Sequence, residues 1–301
     1  MISGYPRDLV GYGSRPPQAR WPGGARVAVS VVVNVEEGSE RAVIHGDEES
    51  ENGVNDVIGA EPFAGRDLRV ESMFEYGARA GAWRLLRILD EAAVPATVFA
   101  VGMAVERHPD LVASFAEAGH EICGHGYRWA DYRHIGEATE RDHIRRTVAA
   151  IETATGARPV GWYTGRTSLN TRRLVVEEGG FLYDSDAYND DLPYWVQVSG
   201  RPHLVLPYSF DTNDMRYVSP AGFGSVEDFV AQVIATFEEL YAEGAQAPRM
   251  MSIGLHTRLA GRPGRAHALR RVLDHLASHD GVWFARRIDI ARHWAEVHPI
   301  R

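Results

Sequence analysis

Apolar runs rich in β-branched residues alternate along this chain with segments of helical spacing, and that alternation restricts the fold more than any other feature. Residues 25–35 form the first such run, the pattern of a strand buried on both faces. Over residues 75–93, Ala78, Trp83, Leu85, Leu86 and Leu89 recur at helical spacing, and residues 96–101 read as a second buried strand. A short helix over 110–118, closed by Gly119, leads to a strand at 120–124. The series continues as helix 137–155, strand 159–164, helix 171–178 and strand 181–186. After an irregular stretch come strand 203–210, helix 226–242, strand 250–256, helix 265–278, strand 282–285 and a last helix ending near Glu296. Strands separated by helices return to the same end of the sheet and pair in parallel. With no repeat, linker or compositional break, the chain is expected to form one α/β domain over residues 1–301. Its architecture should be a distorted (β/α) barrel, closed or partly closed, of about seven parallel strands. Two segments stand outside the alternation: an N-terminal extension (1–24) and a polar loop (36–69) rich in Gly, Asp and Glu. The loop is too long for a simple connection, so it is either a lid over a site or an oligomer contact.

With 32 basic and 41 acidic residues the net charge is −9, which argues against nucleic-acid and membrane-surface partners, since both call for concentrated basic surface. The one cysteine, Cys123, cannot form an intramolecular disulfide and suits a reducing compartment. Pro6, Arg7 and Asp8 stand where a secretory leader would carry its apolar stretch, so a cytoplasmic location is expected. All 32 basic residues are arginine, which excludes Schiff-base and carbamylated-lysine chemistry.

In a (β/α) barrel, chemistry collects at the carboxyl ends of the strands. Glu36 and Glu37 follow the first strand, His125 a later one, Tyr163 to Arg166 another, and His256 ends a late one. Each has a plainer reading. The glutamates could belong to a solvated acidic loop with Glu40 and the acidic cluster at 47–51. His125 lies in Glu121-Ile122-Cys123-Gly124-His125-Gly126-Tyr127-Arg128-Trp129, the spacing of a two-histidine metal motif with Trp129 at the second position. His125 and one carboxylate, Glu36, are too few donors for tetrahedral zinc unless Asp131 or His134 substitutes. Arg166 could clamp a planar carbonyl or imide, or simply pair with Asp184 or Asp186. His256 suits acid–base work because imidazole titrates near neutrality, whereas Arg258, Arg262 and Arg265 beside it could be surface charge. Neither a phosphate-binding Gly-rich loop with a following lysine nor a Gly-x-Ser-x-Gly elbow occurs.

Taken together these motifs resemble the polysaccharide deacetylase superfamily, the NodB homology domain, and more closely its cofactor-independent PuuE-type allantoinases. The similarity runs from Tyr5-Pro6-Arg7-Asp8-Leu9 to Asp289-Ile290-Ala291-Arg292-His293-Trp294, and includes Gly161-Trp162-Tyr163-Thr164-Gly165-Arg166 and Asp190-Asp191-Leu192-Pro193-Tyr194-Trp195. It implies a NodB-type barrel that hydrolyses a non-peptide C–N bond, opening allantoin to allantoate in purine catabolism without a metal cofactor. Asn34-Val35-Glu36-Glu37-Gly38 stands where the superfamily carries a base and a metal ligand, so Glu36 or Glu37 is the implied base. A peptidoglycan-deacetylase alignment instead sets Asn34 at the base position and Glu36 at the metal position. His256 is the implied acid, and His125 and Arg166 hold the imide and the oxyanion. Trp129, Tyr163, Trp195 and Arg258 are the further substrate contacts. The partners implied are a small-molecule ureide and copies of the chain itself, assembled as a tetramer. Two competing readings are a deacetylase of an N-acetyl sugar using zinc or another divalent ion, and an inactive binding member.

Overall fold

The computed structural model of the chain describes residues 6–300; residues 1–5 of the expected N-terminal extension lie outside the described residues. Among the described residues the order is β1 (Val27–Val35), α1 (Leu68–Tyr76), α2 (Ala82–Glu91), β2 (Ala96–Ala100), α3 (Gly102–Arg107), α4 (Pro109–Glu117), β3 (Glu121–Gly124), α5 (Glu137–Thr155) and β4 (Gly161–Trp162). It continues with α6 (Thr171–Glu178), β5 (Tyr183–Asp184), β6 (Tyr194–Val198), β7 (Arg201–Val205), α7 (Val226–Glu243), β8 (Arg249–His256), α8 (Pro263–Ala277), β9 (Val282–Phe284) and α9 (Arg287–Val297). The strands form one curled sheet ordered β6-β7-β5-β4-β3-β2-β1-β8, with β9 beside β1. It is a parallel-dominated, half-closed α/β barrel in a single domain, as the alternation demands.

β1 is the keystone, and its sequence says why. Every one of its nine residues is buried. Val27, Val29, Val31, Val33 and Val35 pack outward against residues of α2, α4, α7 and α8, while Ala28 and Val32 face the barrel interior. β8 pairs with β1 along residues 27–34, and β1's other edge is shared by β9 at 27–29 and β2 at 31–35. Deep in the barrel the fully buried Arg287 donates to Ser185 Oγ, Ser252 Oγ and the carbonyls of Leu206 and Pro207. A guanidinium is tolerated there because its donors are distributed over several strands and their connections.

Three departures from the sequence expectation have physical causes. The antiparallel hairpin β6–β7 brings the sheet to nine strands, eight of them parallel, among the described residues. Its turn is Ser199-Gly200, both at positive φ (50° and 75°), the primed geometry that matches strand twist, and the residues of β6 are only partly buried, so periodicity is weak. The helix expected over 75–93 begins earlier, at Leu68, where Asp67 accepts from the amides of Arg69 and Val70, and it is broken by a π-helical turn at Gly77–Gly81. The short α3 has too few residues to display a period.

The 36–69 segment lies over the carboxyl ends of the strands rather than hanging free. Arg258 Nε donates to Val54 O at 2.9 Å, Arg265 makes two 2.7 Å contacts with Asp56, and Val54, Val57 and Ala60 pack on Val70, Phe74 and Trp129. At the opposite end Trp21 is buried with Trp294 and donates to Arg249 O, so this part of the extension belongs to the core. Among the described residues no helix is long and apolar enough to cross a membrane.

Candidate active site

A pocket of about 110 Å³ opens at the carboxyl end of the sheet, lined by Asn34, Glu36, His125, Arg166 and His256, with Trp129, Tyr163 and Val54 as walls. Four separate stretches of chain supply these groups. Glu36 follows β1, His125 follows β3, Tyr163 and Arg166 follow β4, and His256 ends β8. His125 reaches the pocket because the glycines on either side let its backbone press close. A Cβ on Gly124 would stand 2.6 Å from the Trp162 ring, and Gly126 has φ of 68°.

Glu36 is the pivot. Its Oε1 lies 3.2 Å from His125 Nε2 and 3.6 Å from His256 Nε2, while its Oε2 is 2.8 Å from Arg258 Nη1. The last contact is too oblique to be a hydrogen bond, so charge rather than direction holds the pair. Burial pushes the Glu36 carboxyl up, but the Arg258 and His256 charges and the His125 contact outweigh it and hold it well below the usual carboxylate range.

The two histidines are held the same way. His125 Nδ1 faces Tyr163 O at 3.0 Å and His256 Nδ1 faces Asp214 Oδ1 at 2.6 Å. A carbonyl and a carboxylate can only accept, so each Nδ1 carries hydrogen, and neutral rings would turn two bare Nε2 atoms toward one carboxylate oxygen. At least one cation, a proton or a metal, must therefore be shared within the trio. For His256 the surroundings favour the protonated form. Burial lowers its pKa, but Glu36 and Asp214 more than offset this and raise it above the ordinary 6.5. In its protonated form His256 has Nδ1–H committed to Asp214 and Nε2–H directed toward Glu36 and the pocket.

Asp214 was not legible in the sequence. It is fully buried, and its Oδ2 also accepts from the amides of His256 (2.7 Å) and Ala260 (2.9 Å), fixing ring and backbone together. It stands 42 residues before its partner, in a one-turn helix outside the strand–helix alternation. Tyr208, Phe210, Asn213 and Met215, which complete the wall, come from the same irregular stretch.

Three sequence expectations need correction. Glu37 does not face the pocket: it accepts from Thr257 Oγ1, and Arg258 Nη1 stands 3.4 Å from it, in a fully enclosed position. Arg258 is no substrate contact either. Its side chain is 0% exposed, and its guanidinium sits between Glu36, Glu37 and the Phe74 ring as an internal counter-charge. Trp195 lies outside the pocket, its indole N–H donating to His298 O at 2.8 Å.

The other predicted groups do converge. Trp129 forms a wall, and the Arg166 guanidinium stacks 4.3 Å from its ring centroid. Asp184, one proposed partner of Arg166, is taken by Arg172 and His203. Asp186, the other, accepts from the amides of Thr164 and Gly165, and burial and the charge of Asp184 push it up to about 7. Tyr163 stacks on both Phe99 and His125, and burial keeps its phenol protonated.

The ligand atoms of Glu36, His125 and His256 do not all come within 4.8 Å of one another, and the Arg258 cation already occupies the second oxygen of Glu36. Neither substitute donor arrives: Asp131 caps the turn at Tyr132–His134 and pairs with Arg133, and His134 does not line the pocket.

Residues 65–180 match the polysaccharide deacetylase family. A Schizosaccharomyces pombe protein assigned to the polysaccharide deacetylases is 42% identical, the alignment covering 98% of each chain. Among solved structures, a Pseudomonas aeruginosa PAO1 protein assigned as a polysaccharide deacetylase is 55% identical with a TM-score of 0.96, covering 99% of this chain and 100% of that one. A PuuE allantoinase is 54% identical with a TM-score of 0.97, covering 99% of both chains.

Proposed function

We propose that this chain, which belongs to the polysaccharide deacetylase family of hydrolases, opens the ring of allantoin to give allantoate without a metal. The observation that carries the reading is the approach of Glu36 Oε1 to His256 Nε2, 3.6 Å apart on one pocket wall, backed by Arg258 on one side and Asp214 on the other. Likeness to the PuuE allantoinase over nearly the full length supports the choice of a cyclic ureide.

In this mechanism Glu36 accepts a proton from water as the oxygen attacks the hydantoin carbonyl. His256 Nε2–H protonates the departing ring nitrogen, and the bond from that nitrogen to the carbonyl carbon breaks. Glu36 then returns its proton to His256 Nε2, 3.6 Å away, which resets both groups. A carboxylate held low is a weak base at rest, so this short return path matters. Arg166, which lines the pocket, supplies guanidinium donors for the imide and the developing oxyanion.

The test is to incubate chelated, metal-analysed protein with racemic allantoin and follow allantoate. Turnover at undetectable metal is the expected result. Activity that returns only with zinc would replace the metal-free reading, and no activity in either state would move the search to N-acetyl sugars.

A further inference from the structure

Far along the chain from the pocket residues, the outer helices α7 and α8 bring together a second group of one glutamate and two histidines. We propose that Glu238, His275 and His279 form a zinc-class transition-metal site that clamps these helices. Glu238 lies on α7, His275 in the last turn of α8, and His279 one turn further, so the two imidazoles share one face at a spacing of four residues. Their ligand atoms all lie within 4.8 Å of one another, the one such group among the described residues. Glu238 Oε1 is 2.7 Å from His275 Nε2 and 3.5 Å from His279 Nε2. Ligands of a tetrahedral zinc, with bonds of about 2.0–2.1 Å, stand roughly 3.4 Å apart, so the three atoms need only small shifts to share an ion.

The site is built rather than accidental. His279 Nδ1 donates to His275 O at 2.9 Å, which fixes the tautomer and leaves Nε2 bare toward Glu238. A bare nitrogen facing a carboxylate oxygen needs a cation between them, either a proton or a metal. Phe237 packs on both imidazoles and Tyr241 on His279, with ring centroids 5.0–6.1 Å apart, which limits the rotamers of both ligands. Tyr241 Oη also donates to Asp280 O, holding the end of α8 against α7. Two imidazoles and one carboxylate suit zinc and its first-row neighbours, with a fourth position left for water.

Untagged, chelator-stripped protein titrated with zinc by calorimetry should bind one equivalent and melt roughly 5 °C higher at a hundredfold excess over Kd. His279→Ala or Glu238→Gln should weaken binding at least about tenfold while allantoin turnover stays within twofold, and His125→Ala should leave zinc binding unchanged. Absence of zinc binding, or binding indifferent to His279→Ala, overturns the site. Zinc lost in His125→Ala but kept in His279→Ala would place the ion in the pocket, overturning the clamp and the metal-free mechanism together.

Discussion

Among the described residues, two trios of one glutamate and two histidines have similar glutamate–imidazole distances: 3.2 and 3.6 Å around Glu36 Oε1, 2.7 and 3.5 Å around Glu238 Oε1. Their surroundings differ. Glu36 is buried, with the Arg258 guanidinium on its second oxygen and Asp214 behind one imidazole. The Glu238 side chain is 46% exposed and, among the described residues, forms ion pairs with its two histidines and with no arginine. Residue identity and the glutamate–imidazole distances therefore do not by themselves decide between proton chemistry and metal chemistry. In the proposed mechanism the Arg258 cation and the Asp214 carboxylate assign the protons inside, whereas outside the carboxylate remains to be neutralised.

The largest effects should come from removing the reacting groups. His256→Ala and Glu36→Gln are each expected to cut kcat for allantoin by about 10²- to 10⁴-fold, whereas His275→Ala in the outer trio should leave it within twofold. Comparable losses from both trios in steady-state assays would abolish the contrast. Next comes Arg258→Met, which strands Glu36 and Glu37 without their counter-charge and should cost about 3–5 kcal/mol in urea unfolding. That variant also sharpens the comparison, because a pocket without its cation should begin to take up zinc when titrated.

What the sequence disclosed about this contrast follows from where information is local. The strand–helix alternation was legible because β1 and its neighbours are buried on both faces and the helices are amphipathic, so helices 137–155 and 171–178 stand where periodicity places them. Glu36, His125, Arg166 and His256 were found because each ends or follows a strand, a rule that needs only local pattern. Asp214 and the cation role of Arg258 were not, since both depend on contacts across 42 and more than 200 residues between side chains whose types look like ordinary surface charge. Trp195 failed for the converse reason: its motif was recognisable, but the hairpin turns its indole to the carbonyl of His298.

Asp214→Asn tests how much of the difference rests on one carboxylate. The amide keeps the shape but removes a charge that raises the His256 pKa, so kcat should fall about 10- to 100-fold. Since the acid must be protonated, activity is lost as pH rises through the His256 pKa, and the alkaline limb should move to lower pH in the variant. Stability carries the same sign. A histidine raised above its unfolded 6.5 contributes stability fully present below that value and lost as pH rises through the folded one. Melting curves of the Asn variant should therefore begin their alkaline decline earlier than wild type, and an unchanged limb in both assays would remove Asp214 from this role.

The smallest effect concerns the outer trio without metal. Its glutamate is 46% exposed and its histidines 31% and 25%, so water screens the pairs and His279→Ala should cost less than about 1 kcal/mol in chelator. In zinc the same substitution should cost the whole linkage gain, because the wild type then has a ligand that the unfolded chain holds poorly. A dependence of this mutational cost on zinc would separate a metal clamp from a packing contact. If the cost is instead equal in chelator and in zinc, the aromatic seat of Phe237 and Tyr241 accounts for the histidines, and the outer trio is no metal clamp.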